Sequence, residues 1–239
     1  MKLDILAFAA HADDVELGCS GTLVAHIATG KKVGIVDLTR GELGTRGTPE
    51  VRAAEAEDSA RILGAEVRDN LEFADGFFVN DRAHQLKVVE KIRQYQPEIV
   101  IMNAVHDRHP DHGRGSVVVS EACFLAGLKM IETVGDDGVQ QQAWRPKAVY
   151  HFIQDRYIKP DLVVDVTPFW DKKMESIRAF KSQFFNPDDN SPNTYISSPE
   201  FLEFVEARAK EYGHSIGVKY GEGFTTERHI GVNNLFDLI

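Results

Sequence analysis

The chain has 239 residues, 43% of them hydrophobic, and a formal charge of −10 at neutral pH. That length and apolar content suit one well-packed domain, and the acidic balance argues against nucleic acid or an anionic membrane as the main partner. No apolar run approaches the roughly 18 residues that a membrane span needs.

The predicted elements alternate between strand and helix. LDILAFAA (3–10) is a near-continuous apolar run, as expected for a strand covered on both faces. Helical spacing follows over about 21–29, closed by Gly30, and KVGIVDLT (32–39) reads as a second strand. Thr48, Pro49 and Glu50 open a helix that runs to about Leu63, with Thr48 as cap, Pro49 at the first position and Gly64 as stop. VRDNLEF (67–73) is a short third strand, and a helix over about 82–95 leads through Pro97 to the strand EIVIMN (98–103). A helix then covers about 113–128, and KAVYHF (147–152) and LVVDV (162–166) read as further strands. Helices near 168–182 and 199–212 flank a loop rich in Pro, Asn, Asp and Ser, FNPDDNSPNTYISSP (185–199). No repeat or interdomain linker interrupts the series. The expectation is one domain, 1–239, of Rossmann-like α/β architecture, with a doubly wound, mainly parallel sheet flanked by helices. The start, MKLDILAFAAHADD, carries an acid at position 4 and lacks a signal peptide's long apolar stretch, and Cys19 and Cys123 suggest no disulfide framework. A soluble, cytoplasmic protein is expected.

In open α/β sheets, ligands bind beyond the carboxyl ends of the strands, near the point where strand order reverses. His11, Asp13 and Asp14 follow the first strand at once, and NAVHDRHPDHGRG (103–115) follows EIVIMN. If those strands are neighbours, both clusters share one crevice. Such a cluster at a buried strand end needs a compensating cation or ligand. A catalytic zinc site typically takes three ligands from His and carboxylates and leaves a position for water. His11 and Asp14, three residues apart on a turn, can face one ion, and His112 can supply the third ligand. Asp13 then stands beside a water whose pKa the ion can bring to about 7, placed to take its proton. His109 can stabilise an oxyanion or protonate a leaving amine, with Asp111 orienting it and favouring its charged form. The donor set suits Zn2+, Fe2+ and Co2+ alike. Taken singly, each motif also reads as a turn that opens a helix, with His106 and Asp107 as loop supports. Gly41, Gly44 and Gly47 do not form the G-x-G-x-x-G turn of a nucleotide site.

AHADD (10–14) and HPDH (109–112) together resemble the LmbE-like, or PIG-L-like, zinc-dependent N-acetylglucosamine deacetylases, and the likeness covers nearly the whole chain. RGELGTRGTPEVRAAEAEDSARILG (40–64), HDRHPDH (106–112), TYISSPEFLE (194–203) and GEGF (221–224) are similar to the bacillithiol-biosynthesis branch, which removes the acetyl group from N-acetylglucosaminyl malate. The resemblance implies His11, Asp14 and His112 as zinc ligands and Asp13 as general base. It implies His109, with Asp111 behind it, as the oxyanion-stabilising or acid group, Arg52 against the substrate and Tyr195 offered to the oxyanion. It further implies a small N-acetylated amino-sugar substrate and a homo-oligomer. One position departs from the pattern. Ala12 stands where the family usually has proline, which loosens the turn by up to about 1 kcal/mol.

Arg40, Arg46 and Arg52 recur every six residues along the segment after the second strand, which borders the same crevice. Arginine's planar fork binds carboxylates, and a malyl group carries two, so Arg52, with Arg46, is expected to hold them. Two other activities share the same catalytic residues: a general N-acetylglucosamine or chitooligosaccharide deacetylase, and a thiol-conjugate amidase. A non-enzymatic α/β binding module with a structural metal is the remaining alternative.

Overall fold

In the computed structural model, which describes residues 1–187 and 189–238, seven strands form one sheet. They are β1 (Ile5–Ala9), β2 (Val33–Thr39), β3 (Val67–Phe73), β4 (Ile99–Met102), β5 (Ala148–Phe152), β6 (Leu162–Asp165) and β7 (Gly221–Thr226), in the order β3-β2-β1-β4-β5-β7-β6. The first five pair in parallel, whereas β7 is antiparallel to both β5 and β6. Strand order runs outward one way from β1 to β3 and the other way from β4 to β5. It therefore reverses between β1 and β4, which pair from Ile5↔Ile99 to Ala7↔Ile101. The two polar segments of the sequence leave these two strands side by side.

Burial explains the arrangement. Every residue of β1 and β2 is buried. Along β1, Leu6 and Phe8 pack against α4 (Arg82–Tyr95) and α5 (Pro110–Ala126), while Ile5, Ala7 and Ala9 pack on the other face with α2 (Ser20–Ala28). Each fully buried Leu, Ile or Phe contributes about 1.5–3 kcal/mol. A third apolar cluster joins α1 (Asp14–Gly18), α3 (Pro49–Leu63), α6 (Trp170–Arg178) and α7 (Pro199–Ser215).

The cap residues behave as their chemistry dictates. Thr48 accepts a hydrogen bond from Val51 N at 3.3 Å, Pro49 opens α3 and Gly64 ends it. Three elements differ from expectation. A short helix, α1, precedes the expected one and breaks from it at Cys19. The helix expected from 113 starts at Pro110, because His109 caps it. The glycine-rich strand β7 lacks the apolar alternation that marks a strand, since it passes hard against α7. A Cβ on Gly221 would lie 2.9 Å from Gly213 N, and one on Gly223 would lie 2.9 Å from the Tyr212 ring.

Among the described residues no helix is long and apolar enough to cross a membrane. Cys19 and Cys123 are free and buried, and burial pushes both thiols up. Iodoacetamide is therefore expected to leave both unmodified in the native protein and to alkylate both after unfolding, as read by mass spectrometry.

Candidate active site

The turn after β1 and the loop after β4 face one cavity of about 230 Å³, whose wall includes His11, Asp13, Asp14, Arg52, His109 and His112. Asp14 is its hub. Asp14 Oδ2 lies 3.5 Å from His11 Nδ1, and Asp14 Oδ1 lies 3.1 Å from His112 Nε2. The other nitrogen of each ring is engaged by a carboxylate: His11 Nε2 with Asp75 at 3.0 Å, and His112 Nδ1 with Asp107 at 2.7 Å. An acid on one ring nitrogen fixes the tautomer and leaves the other nitrogen as a lone-pair donor. Asp14 is itself fixed by N–H groups of Asn103 (3.0 Å), Gln154 (2.7 Å) and the His11 backbone (3.0 Å). His11, His109 and His112 also offer ring nitrogens within 4.8 Å of one another, as His11, Asp75 and Asp111 offer ligand atoms.

The electrostatics call for a cation. Burial alone would lower the pKa of His11, yet hydrogen bonds to Asp111, Asp14 and Asp75 hold it well above its ordinary value. For His112, burial is likewise outweighed by the Asp14 charge and the bonds to Asp107 and Asp14, which raise it to about 9. Burial would raise Asp14, but the charge of His112 and hydrogen bonds from both imidazoles hold it well below the carboxylate range. A field that retains protons on two buried imidazoles also suits a divalent ion in their place. Nitrogen and carboxylate donors with both rings held by acids fit such an ion.

Asp13 differs from Asp14. It occupies the N-cap of α1 but makes no side-chain capping bond, and it is buried. Burial raises its pKa, partly offset by Arg52, whose Nη2 lies 3.8 Å from Asp13 Oδ1. A buried, raised carboxylate that is not used as a cap is suited to take a proton.

Arg52 is seated by the glycine loop before α3. Gly41 has φ +64°, its carbonyl accepts Arg52 Nη1 at 3.2 Å, and a Cβ there would meet Nη1 at 2.0 Å. Arg52 Nε is buried with no hydrogen-bond partner among the described residues. The other two arginines are not brought to the cavity. Arg46 binds Ser182 O at 2.9 Å and pairs with Asp189, clasping the loop after α6. Arg40 pairs with Glu50 at 3.0 Å on the surface.

The expected support of His109 by the Asp111 carboxylate is not formed. Asp111 accepts from Gly76 N at 2.7 Å and from Arg114 at 2.6 Å, and lies 3.5 Å from His11 Nε2. Instead His109 Nδ1 accepts the Asp111 backbone N–H at 3.3 Å, which leaves Nε2 to carry the proton. Burial and the charges of His11 and His112 lower the pKa of His109. Tyr195 is half exposed, with its ring over the guanidinium of Arg108 at 4.3 Å, and it is Arg108 and Ile196 beside it that line the cavity.

The supports of the site had no motif of their own. Asp75 comes from the turn after β3, Asn103 from the end of β4 and Gln154 from the loop after β5. Behind the turn, Arg68 of β3 donates to Ala12 O, to Asp37 (2.8 and 3.0 Å), to Glu16 (2.6 Å) and to Ala56 O (3.3 Å).

Paired imidazoles and carboxylates at the switch point of a doubly wound sheet, with an idle acid beside them, define a candidate metal centre of hydrolytic type. The chain belongs to the PIG-L family: the family model described as "PIG-L: GlcNAc-PI de-N-acetylase" matches residues 6–123, which hold both motifs. A diacetylchitobiose deacetylase from Thermococcus kodakarensis is 28% identical over 231 residues, covering 92% of this chain and 81% of that protein. An Escherichia coli protein named uncharacterized deacetylase YaiS is 36% identical over 138 residues, covering 55% of this chain and 71% of that protein. The solved structure of a conserved protein from Thermus thermophilus matches with TM-score 0.84 at 33% identity, covering 97% of this chain and 98% of that one. The likeness also extends to another named activity. A 4-oxalmesaconate hydratase from Pseudomonas putida is 27% identical over 195 residues, covering 74% of this chain and 73% of that protein.

Proposed function

We propose that the protein is a metal-dependent N-deacetylase of small amino sugars and that its substrate is N-acetylglucosaminyl malate. The observation that carries the reading is Asp13, a buried acid that makes no capping bond and lines one cavity with His11, His112 and Arg52. His11, Asp14 and His112 would hold the ion, with Zn2+ first and Fe2+ or Co2+ as alternatives. When bound, such an ion supplies Lewis acidity toward the amide oxygen and the attacking water. Asp13 accepts the water's proton on its carboxylate. His109 donates a hydrogen bond from Nε2 toward the developing oxyanion, and Asp13 returns the proton it took from the water to the leaving amine. Tyr195 is assigned to the rim through Arg108 rather than to the oxyanion.

The malyl assignment rests on Arg52, a buried guanidinium that lines the cavity beside Asp13. Arg52→Ala is expected to act twice. Loss of its charge raises the pKa of Asp13, so activity on every substrate falls at low pH and recovers as pH rises. A second loss, about tenfold or more in kcat/KM, persists at high pH for the malate conjugate alone, as expected from losing roughly 1.5–3 kcal/mol of charged hydrogen bonding. Equal losses on conjugate and plain N-acetylglucosamine at high pH would remove the anion clamp.

The likeness to the diacetylchitobiose deacetylase favours a second reading, in which a chitooligosaccharide takes the malate conjugate's place. Acetate release from N-acetylglucosaminyl malate, N-acetylglucosamine and diacetylchitobiose, measured side by side with metal analysis, separates the two. Preference for diacetylchitobiose would select the second reading, and release from none would sink the deacetylase assignment.

A further inference from the structure

We propose that Lys173 and Glu222 are positioning residues that hold α1, and through it Asp13 and Asp14, at the crevice. The proposal rests on the reading of those two aspartates as reactive groups. Helix α1 has five residues. Isolated helices shorter than about 12–15 residues are marginal, so its geometry must be imposed by its surroundings. The Lys173 ammonium imposes it from α6. Its Nζ donates to Glu16 O at 3.0 Å, to Leu17 O at 2.9 Å and to Glu222 Oε1 at 2.6 Å. Glu222, on β7, also accepts Gly21 N (2.9 Å), Thr22 N (2.7 Å) and Thr22 Oγ1 (2.6 Å).

One ion pair thus satisfies the carbonyl end of α1 and the amide end of α2 across the break at Cys19. The three ammonium hydrogens match three acceptors, and both groups are buried, at 2% and 4% exposure. Neither lines the active cavity; both border a small void of about 20 Å³ beside α7. A buried ion pair is weak evidence for stability, because desolvation of both charges offsets their attraction. What this pair fixes is direction. Two carbonyls of the last turn of α1 are pinned to one point, so the N-terminal end bearing Asp13 and Asp14 is aimed. Both residues lie outside the 6–123 span that matches the family, and they give the GEGF segment a role as a brace from the C-terminal half.

The test compares wild type with the double variant Lys173→Met/Glu222→Gln, which removes both charges together. Amide hydrogen exchange on metal-free protein reads α1 without reference to turnover. The amides of 14–18 are expected to exchange about tenfold faster or more, with β1 and β4 unchanged. In the metal-loaded double variant, kcat per bound ion is expected to fall about tenfold with KM within about twofold. A folded double variant with wild-type exchange in α1 and wild-type kcat overturns the proposal. Should the double variant fail to fold, Glu222→Gln alone is read at the Gly21 and Thr22 amides: exchange about threefold faster or more supports the brace, and unchanged exchange overturns it. If wild type releases no acetate, the deacetylase reading fails while the exchange comparison still decides this one.

Discussion

Asp13→Asn is expected to keep its metal and lose about 10²–10⁴-fold in kcat. The substitution preserves size and one oxygen but removes the capacity to accept a proton at neutral pH. Little structure is put at risk, because the Asp13 side chain makes no capping bond to α1 and its charged neighbour Arg52 sits 3.8 Å away. Melting temperature should therefore move little while turnover collapses. Asp14→Asn is the contrasting variant. Asp14 touches both imidazoles and is fixed by Asn103, Gln154 and the His11 amide, so its loss should release the ion. Metal analysis of both variants beside acetate release decides the matter. If Asp13→Asn lost the metal while Asp14→Asn retained it, the two roles would be reversed.

Replacing His11 or His112 with Ala is expected to remove bound metal and activity together, and full occupancy in both variants would end the ligand assignment. The same centre should bind its ion in a pH-dependent way. In metal-free protein His112 keeps its proton up to about 9, so an ion must displace it, and affinity weakens as pH falls, by about tenfold per unit for each proton displaced. Stability of the metal-free protein should run the opposite way. A histidine whose folded pKa is raised contributes stability that is complete below its unfolded value, near 6.5, and lost as pH rises through about 9. Chelator-treated protein should therefore melt lower at pH 9 than at pH 6.5, and the metal-loaded form should not follow it. Melting curves of both forms across that range, with metal titrations, check both signs.

Much of this centre was legible because its reactive groups are contiguous. HADD and HPDH each place several donors within a few residues, and apolar strands before them locate both at carboxyl ends. The groups that fix the donors are dispersed. Asp107 was readable as a loop support because it lies within the same segment as HPDH, whereas Asp75 and Gln154 come from other loops and Asn103 from a strand end, and an isolated amide or acid there looks like any turn residue. The regular six-residue spacing of Arg40, Arg46 and Arg52 misleads for a related reason. Arg40 and Arg46 leave a loop whose turns send one to Glu50 and the other to the 182–192 loop, while only Arg52 sits on a helix that faces the cavity. Strand β7 carries no strand signal in the sequence, because glycines that allow close approach to α7 erase the apolar alternation. The break after α1 is set by Lys173 and Glu222, far along the chain, and no local signal announces it.

The Arg68 bond to the Ala12 carbonyl bears on how this turn tolerates mutation. A proline would constrain the turn from within, whereas here a guanidinium from β3 grips it from outside. In this chain the shape of the turn depends on residue 68 more than on the side chain of residue 12. Drift among small residues at position 12 should be nearly silent, because the gripped atom belongs to the backbone and every residue has it. Drift at position 68 should not be silent, since Asp37 and Glu16 would lose their shared cation in the same step. Substitutions at the two positions should also fail to add, each altering how much the other matters. Positions 12 and 68 are thus coupled through a backbone contact that no comparison of side chains alone would reveal.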